Sequence, residues 1–296
     1  MRLAKLMKTI VFSVDPRDSL DRAICLMDEH YIHHLPVIDG DKLVGVLSDR
    51  DLLVAVGWKL ECERRTTPEA RPVGPTEVRA IMSTPAVFLG PDNQVHSAAR
   101  IMAEGKFHCL PIVADHKLVG LVTSTDILNS YCQLGSAAAE SPFMRDEVRN
   151  HMRASVLTIG PEEPLNHAVR IMRQANIRHL PVVVDGNIVG MLSDRDVRRA
   201  CGTEMVEDEK AQSRGEFYMG PNSVMEIMSR HLQLIREDAL IVDAIGRMVD
   251  HQIGSLPVVR ERHELIGLLT DTDVLRLIAH SEDLNWAASD LMAARK

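Results

Sequence analysis

Residues 33–51 read HHLPVIDGDKLVGVLSDRD, and this stretch decides the fold because its landmarks recur three more times along the chain. A Leu-Pro pair is followed by a glycine, then by two apolar residues and a polar quartet that ends in aspartate. The prolines are Pro36, Pro111, Pro181 and Pro257; the glycines are Gly45, Gly120, Gly190 and Gly267; the quartets end at Asp51, Asp126, Asp196 and Asp273. Self-similarity of this kind predicts four copies of one structural unit.

Two methionines complete the pattern of each copy, one 29 residues and one nine residues before the proline. The distant methionines are Met7, Met82, Met152 and Met228, and the near ones are Met27, Met102, Met172 and Met248. The near methionines fall on predicted amphipathic helices. We therefore interpret them as core residues rather than as part of a cofactor site.

The pattern of each copy predicts strand–helix–strand–strand–helix, which is a mixed α/β (α+β) unit. The first copy places Ala23, Ile24 and Met27 at the helical period, and the Leu-Pro strand and a second apolar strand follow. Ser/Thr-x-x-Asp then starts the last helix, with the hydroxyl as N-cap. The initial strands are predicted at 10–14, 86–89, 156–159 and 232–235. A unit of about 50 residues buries little surface alone, so the units should pair.

The quartets indicate which units pair. The first and third read Ser-Asp-Arg-Asp, whereas the second and fourth read Thr-Ser-Thr-Asp and Thr-Asp-Thr-Asp. This ABAB pattern predicts two modules of successive copies, at about 1–133 and 145–280. The predicted segments are repeats at 1–57, 77–133, 145–201 and 223–280, a helical tail at 281–296, surface loops at 58–76 and 202–222, and a linker at 135–142.

Composition excludes several classes of protein. The 296 residues are 45% hydrophobic and 26% charged, typical of a folded chain, and no apolar run approaches the ~20 residues of a membrane helix. Lys5 and Lys8 interrupt the N-terminal apolar residues, which argues against a signal peptide and predicts a cytoplasmic protein with no membrane partner. The net charge of −8 argues against nucleic acid as a partner. Five cysteines without C-x-x-C indicate neither a disulfide framework nor a metal site.

These landmarks resemble those of the cystathionine β-synthase (CBS) domain family, in the Leu-Pro-Val strand and the Gly-apolar-apolar-Ser/Thr-x-x-Asp ending. The resemblance covers all four repeats, and the plan is similar to that of the gamma subunit of AMP-activated protein kinase. It implies that two repeats form a Bateman module with two clefts that commonly hold adenosine nucleotides. It also implies a flat disc of two modules, closed by one chain or by a homodimer. The helix faces that we expect to be buried between modules are Ala23, Ile24 and Met27, and Ala168, Ile171 and Met172.

The quartets are the candidate ligand sites. A carboxylate accepts hydrogen bonds from both hydroxyls of a ribose, and a phosphate binds backbone N–H groups and hydroxyls at a helix start. We assign ribose binding to Asp51, Asp126, Asp196 and Asp273, and phosphate binding to Ser48, Thr123, Ser193 and Thr270. For any single copy, the alternative is an ordinary capping pair that needs no ligand. Four copies in register favour ligand binding, by at least two of the four aspartates.

By the same resemblance, the two residues before each Leu-Pro direct basic groups at phosphate, in the cleft of the partner repeat. The basic residues at these positions are His33, His34, His108, Arg178 and His179, and the fourth copy has only Gly254 and Ser255. Phosphorylated ligands should therefore favour the Asp126 and Asp273 clefts. For His33 and His34, the alternative is a strand-edge pair bound by backbone and water. Arg50 and Arg195 are interpreted as solvated residues at a helix start, with phosphate contact as the alternative.

The sequence favours a regulatory protein without catalytic activity, which binds AMP, ADP or ATP, with Mg²⁺ as an accompanying ion, and signals to a separate effector protein. No constellation for nucleophilic, metal or acid–base catalysis is found, so we predict no catalytic residue, metal site or catalytic cofactor. One alternative is a sensor of another adenosyl ligand, such as NAD or S-adenosylmethionine. A second is an interaction module with empty clefts. A nucleotide-hydrolysing enzyme that holds Mg²⁺ on the quartet carboxylates is the least favoured.

Overall fold

The structure, a computed structural model, describes residues 1–52, 76–133, 141–200 and 222–281. The predicted loops 58–76 and 202–222, the linker 135–142 and the tail 281–296 lie almost wholly outside these residues, as do Cys62 and Cys201. Helices alternate with small sheets, each built on an antiparallel pair of strands. This confirms the mixed α/β class predicted from the sequence.

Each copy contributes a helix, an antiparallel hairpin and a second helix. The first copy comprises α1 (Leu20–Glu29), β1 (His34–Asp39), β2 (Lys42–Ser48) and α2 (49–52). The second comprises α3 (Val95–Gly105), β3 (Cys109–Ala114), β4 (Lys117–Thr123) and α4 (Ser124–Gln133). The third comprises α5 (Leu165–Gln174), β5 (His179–Val184), β6 (Asn187–Ser193) and α6 (194–200). The fourth comprises α7 (Val224–Ile227), β7 (Ile235–Arg236), α8 (Ile241–Asp250), β8 (Ser255–Val259), β9 (Leu265–Thr270) and α9 (271–281).

The first helix of a copy forms where the apolar period predicts it. The N-cap Ser19 accepts a hydrogen bond from the backbone N–H of Arg22, and α1 buries one face. The buried residues of α1 are Leu20, Ala23, Ile24 and Met27, and those of α5 are Leu165, Ala168, Val169 and Met172. Ile171 is only partly buried. Both faces pack in the core of their own copy, together with Leu35 and Leu180 of the adjacent strands.

The four hairpins share one register. In the first copy Pro36 lies opposite Val46, and the register shifts between Val37 and Ile38. The same shift follows the proline by one residue in the other three copies. The predicted initial strand is much shorter than its apolar stretch. It is a single parallel bridge at Val14, Leu89 and Ile159, and the two-residue strand β7 in the fourth copy.

The chain divides into two compact units, and each unit combines alternate copies. Unit 1 consists of Met1–Val11, Val87–Val156 and Gln233–Lys296, and unit 2 consists of Phe12–Ala86 and Leu157–Leu232. Unit 1 thus contains the hairpins of copies two and four, and unit 2 those of copies one and three. The boundaries fall a few residues after each distant methionine, so each methionine lies in a different unit from the hairpin of its own copy.

The segment around each distant methionine pairs with a hairpin of the neighbouring copy. The backbone N–H of Lys8 donates to the carbonyl of Leu121 at 2.9 Å, and the reverse bond has the same length. The corresponding pairs are Ser83 with Val46, Arg153 with Leu268, and Ser229 with Met191. Copies one and two therefore exchange segments, as do copies three and four. The exchange joins the successive copies that the ABAB pattern pairs, but the two compact units combine alternate copies and do not coincide with the predicted modules at about 1–133 and 145–280.

The two units are built around different cores. In unit 1 a single apolar cluster unites copies two and four, including Ile127 of α4 and Ile245 of α8, which pack together. Among the residues of unit 2 that the structure describes, which exclude 53–75 and 201–221, copies one and three have separate clusters. Among the described residues, no helix is both long and apolar enough to cross a lipid bilayer.

Candidate ligand-binding sites at the four quartets

In every quartet, the terminal aspartate and the Ser or Thr three residues before it form the cap of the helix that begins there. Oδ2 of Asp51 accepts hydrogen bonds from the backbone N–H and the hydroxyl of Ser48, at 2.8 and 2.6 Å. The backbone N–H of Asp51 in turn donates to the Ser48 hydroxyl at 3.4 Å, which completes a reciprocal capping pair. The other pairs are Thr123 with Asp126, Ser193 with Asp196, and Thr270 with Asp273. The capping arrangement predicted from the sequence is present in all four copies.

The cap uses the groups that the sequence assigned to phosphate. In Ser48, both the hydroxyl hydrogen and the backbone N–H already donate to Asp51, and Thr123, Ser193 and Thr270 make the same two bonds. A hydroxyl has one hydrogen to donate. These residues therefore position the carboxylate, and a phosphate would need other donors. The second carboxylate oxygen, Oδ1, takes no part in the cap.

Oδ1 has a different environment in each copy. In the first copy, Oδ1 of Asp51 accepts a hydrogen bond from the hydroxyl of Ser83 at 3.0 Å. In the second, Lys8 Nζ lies 3.1 Å from Oδ1 of Asp126. The Lys8 side chain is 66% exposed and that of Asp126 only 12%, so a solvated cation reaches a largely buried carboxylate.

The fourth quartet has the most strongly paired carboxylate. Oδ1 of Asp273 accepts hydrogen bonds from Nε and Nη2 of Arg153, at 3.2 and 3.0 Å, and from Nη1 of Arg276, at 2.8 Å. By contrast, no cation or hydrogen-bond donor in the described part of the chain contacts Oδ1 of Asp196, the third quartet. Among the described residues, Oδ1 thus ranges from having no partner, at Asp196, to being held by two guanidinium groups, at Asp273.

One sequence position accounts for most of this difference. Lys8, Ser83 and Arg153 each follow a distant methionine and reach the aspartate of the neighbouring copy. Ser229 is the fourth member of this set, and its backbone pairs with Met191 beside the third quartet. This position was not among the predicted site residues, because each distant methionine was assigned to its own copy. The signal was a Lys/Ser/Arg/Ser alternation in step with the ABAB quartets.

Burial controls the charge of the two less-paired aspartates. Burial raises the pKa of Asp51 above its ordinary value of 3.8, although bonds from Ser48 and Ser83 act in the opposite direction. Burial likewise raises the pKa of Asp196, against the bonds from Ser193 and the nearby charge of Arg195. A ligand that donates hydrogen bonds would therefore stabilise the ionised form of both carboxylates.

The second residue of each quartet is buried, and the predicted phosphate residues contact it. A backbone bond holds each such residue to the position two before its Leu-Pro pair, as from Asp49 N–H to the His33 carbonyl at 3.2 Å. His33 Nδ1 also lies 2.9 Å from Oδ2 of Asp49, and Arg178 Nε lies 3.3 Å from Oδ2 of Asp194. Two of the predicted phosphate-binding groups, His33 and Arg178, are thus engaged by buried carboxylates of their own copy.

In unit 2, a buried arginine joins copies one and three. Arg198 of α6 is 1% exposed, and its Nε lies 2.5 Å from Oδ1 of Asp49. Its Nη1 lies 2.8 Å from Oδ1 of Asp28. These are charge contacts without hydrogen-bond alignment. Burial alone would raise the pKa of Asp49, but His33 and Arg198 more than offset it and lower the pKa below 3.8.

In unit 1, the equivalent contact places a hydroxyl and an imidazole around one carboxylate. Oδ2 of Asp271, in the fourth copy, accepts a hydrogen bond from the hydroxyl of Ser124 at 2.9 Å. His108 Nδ1 lies 2.9 Å from the same oxygen. The predicted phosphate residue His108 therefore binds the neighbouring copy of its own unit, at the start of α9.

The third residue of each odd quartet is an arginine that the sequence analysis interpreted as solvated. Arg50 and Arg195 are instead half-buried, and burial lowers the pKa of both from 12.5, with the charge of Arg178 acting in the same direction. Neither has an ion pair within the described residues. His34 and His179 begin β1 and β5 opposite Ser48 and Ser193, so each lies beside the quartet of its own copy.

The chain consists of four small repeats, which are paired by exchanged segments, and the second strand of each hairpin leads into a capped aspartate. This arrangement is that of a protein of tandem paired domains. The CBS domain model matches residues 3–57, 78–132, 147–202 and 224–280. The chain therefore belongs to the CBS domain family.

Individual relatives share this plan. The uncharacterized protein MJ1404 of Methanocaldococcus jannaschii is 31% identical over 287 residues, which cover 93% of this chain and 61% of that protein. This chain thus spans about three fifths of that relative's length. Protein MJ1225 of the same organism is 25% identical over 287 residues, covering 94% of this chain and 98% of that protein. Its crystal structure, described as that of a proposed archaeal homolog of g-AMPK, matches with a TM-score of 0.78 at 24% identity, over 93% of this chain and 99% of that one.

Proposed function

We propose that this protein is a non-catalytic regulatory protein, which binds an adenosine-containing ligand at its quartets and signals the binding to an effector protein. The observation that carries the proposal is the cap geometry. In every copy Oδ2 and the hydroxyl residue fix the carboxylate, while Oδ1 takes no part in the cap. A fixed carboxylate accepts the two hydrogen bonds of a ribose diol with little loss of conformational entropy.

A route from ligand to effector starts in unit 2. Asp51 stands two residues after Asp49, which contacts the buried Arg198 of the third copy. A ligand that binds Asp51 would hold the start of α2 and so bias the contact that joins copies one and three. A ligand shifts an equilibrium only by its differential affinity for the two states, which here are the states with and without the Asp49–Arg198 contact. The effector must bind these two states with different affinity.

The nucleotides AMP, ADP and ATP, with Mg²⁺ for the last two, are our first choice of ligand. NAD and S-adenosylmethionine are alternatives with the same ribose. All five present a vicinal diol, so the quartets alone do not separate them. A second candidate function is an interaction module without a ligand, which the complete caps favour because they satisfy Ser48 and Asp51 without one.

A thermal-shift titration tests the proposal. The full chain is titrated with the five ligands up to millimolar concentration, with and without Mg²⁺, and the same ligands are applied to the Asp51→Ala/Asp196→Ala double variant. A ligand at a hundred times its Kd stabilises by about 2.7 kcal/mol, which raises Tm measurably. We expect a rise for at least one ligand, reduced in the variant. No rise for any of the five would favour the interaction module. If the protein released phosphate from ATP and Asp51→Asn abolished this release, the result would instead favour a nucleotide-hydrolysing enzyme.

A further inference from the structure

The four candidate sites differ at the residue that follows each distant methionine. Lys8 lies 3.1 Å from Asp126, and Arg153 lies 3.0 Å from Asp273. At the other two sites this residue is a serine: Ser83 donates to Asp51, and Ser229 makes no contact with Asp196 among the described residues. Both paired sites lie in unit 1 and both serine sites lie in unit 2.

This difference decides whether a ribose can reach the carboxylate. A vicinal diol needs oxygen lone pairs that are not already directed at a cation, because a neutral hydroxyl binds a carboxylate less strongly than an ammonium or a guanidinium does. At Asp126 and Asp273 the ligand must displace a cation that the chain itself supplies. At Asp51 it must displace only a neutral hydroxyl, and at Asp196 nothing within the described residues.

We propose that Lys8 and Arg153 are selectivity residues, which act as tethered cations and keep a nucleoside diol away from Asp126 and Asp273. Ligand binding then favours Asp51 and Asp196 in unit 2, with Asp196 the tightest of the four sites. This inference rests on the proposed function and specifies which of the four sites serve it.

The cations around the quartets agree with this assignment. Arg50 and Arg195 adjoin Asp51 and Asp196, are half-buried, and make no ion pair among the described residues. The even quartets have Thr125 and Thr272 at this position. The unit 2 sites therefore offer a carboxylate for the diol and a nearby guanidinium for a phosphate. The sequence, read from its histidines and Arg178, predicted instead that phosphorylated ligands favour Asp126 and Asp273.

Site-resolved occupancy can be read from the methionines themselves. Met228, Met82, Met7 and Met152 directly precede the four selectivity positions, so a ¹³C-methyl methionine label on the full chain reports each site. Adenosine and AMP are the probes, and 2′-deoxyadenosine, which lacks the diol, is the control ligand. We expect adenosine to shift Met228 and Met82 in the unmodified chain at lower concentrations than Met7 and Met152. The deoxy analogue should bind at least tenfold more weakly.

Two substitutions test the role of the selectivity positions directly. Lys8→Ser should strengthen adenosine binding at Asp126 by up to about fivefold, the upper limit for an exposed ion pair, and make Met7 respond at lower ligand concentration. Ser229→Arg should weaken binding at Asp196 about tenfold or more and remove the Met228 response. The controls are Lys5→Ser, an exposed lysine in the same segment, and Ser229→Ala; neither should change the pattern.

The outcomes separate this inference from the function on which it rests. If Met7 and Met152 respond in the unmodified chain as strongly as Met228, or if Lys8→Ser weakens binding, the selectivity role is wrong while the ligand-binding function stands. If no methyl responds to adenosine, AMP, ADP, ATP, NAD or S-adenosylmethionine, the proposed function fails and this inference fails with it.

Discussion

Met7 packs on Gly120, and a Cβ atom at that glycine would lie 2.7 Å from the methionine sulfur. The same relationship joins Met82 to Gly45, Met152 to Gly267 and Met228 to Gly190. The methionine comes from one copy and the glycine from its partner, so the two landmarks of the repeat are the two halves of one contact. The glycine is needed because a larger side chain would occupy the place of the exchanged segment.

The first prediction concerns this contact. At Gly45 an added Cβ would lie 2.9 Å from the backbone carbonyl of Ser83 as well as from the sulfur of Met82. At Gly190 the three nearest atoms all belong to the side chain of Met228, which is flexible. We therefore expect Gly45→Ala to lower the free energy of unfolding by about 1–3 kcal/mol, and Gly190→Ala to lower it by less. Chemical denaturation measures both.

A third glycine supplies the control. Gly246 lies within α8, and nothing stands within 4 Å of a Cβ placed there. Gly246→Ala should stabilise the protein by about 1 kcal/mol, because alanine has the higher helix propensity. Equal destabilisation by all three substitutions would show that the methionine–glycine contact has no special role.

The sequence was sufficient to predict what is local. The capping pair of Ser48 and Asp51 lies within four residues, and the helical period of α1 lies within ten, so both could be predicted. Pairing of successive copies was predictable from the alternation of quartets. The partner of Oδ1 was not, because Lys8 is 118 residues from Asp126 (126 − 8) and reaches it only through segment exchange. The half-burial of Arg50 and Arg195 was equally invisible, since it depends on tertiary packing.

The second prediction concerns the buried ion pair of unit 2. Asp49→Asn removes the buried carboxylate partner of Arg198 and leaves it only the exposed Asp28 among the described residues, and we expect a loss of up to about 3–5 kcal/mol in the free energy of unfolding. Arg198→Met in the Asp49→Asn background should recover much of that loss, because no uncompensated charge remains. Asp28→Asn is the control, since Asp28 is the exposed partner of Arg198 and should cost less than about 1 kcal/mol.

The same variant has a defined pH dependence. The folded pKa of Asp49 lies below 3.8, so its pairing contributes stability that is present above the unfolded pKa and is lost as pH falls through the folded value. The difference between unmodified protein and Asp49→Asn should therefore be constant near neutrality and shrink at acid pH. A difference that persisted below both pKa values would mean that the asparagine acts through packing, not charge.

The third prediction takes the opposite sign, at Asp196. Its pKa in the folded protein is raised by burial, with Arg195 and Asp194 as the neighbouring charges. The ionised form therefore costs stability, a cost that appears as pH rises above the unfolded pKa and is complete above the folded one. Asp196→Asn keeps the cap acceptor and should have a slightly higher Tm than the unmodified protein at pH 7. The two proteins should converge as pH falls to 3.8.

The same variant should lose ligand affinity while it gains stability. Asp196→Asn should weaken adenosine binding about tenfold or more, because the neutral amide replaces a charge-assisted acceptor by a weaker one. Calorimetry on the same samples gives both numbers. A variant with lower Tm and unchanged affinity would show that Asp196 serves only as a cap.

The fourth prediction separates diol from phosphate recognition. Arg195 adjoins Asp196 and is half-buried, and among the described residues it has no acidic partner at ion-pair distance. A charge-assisted hydrogen bond to phosphate contributes roughly 1.5–3 kcal/mol, so Arg195→Ala should weaken AMP binding at this site by roughly tenfold to a hundredfold. The affinity for adenosine, which lacks the phosphate, should change less than about threefold.

Thr272→Ala, at the same position of the fourth quartet, is the control and should leave both affinities unchanged. Because arginine stays protonated, the AMP preference should also persist from pH 6 to 8. Equal losses for AMP and adenosine would assign Arg195 to the folding of α6 instead of to the ligand.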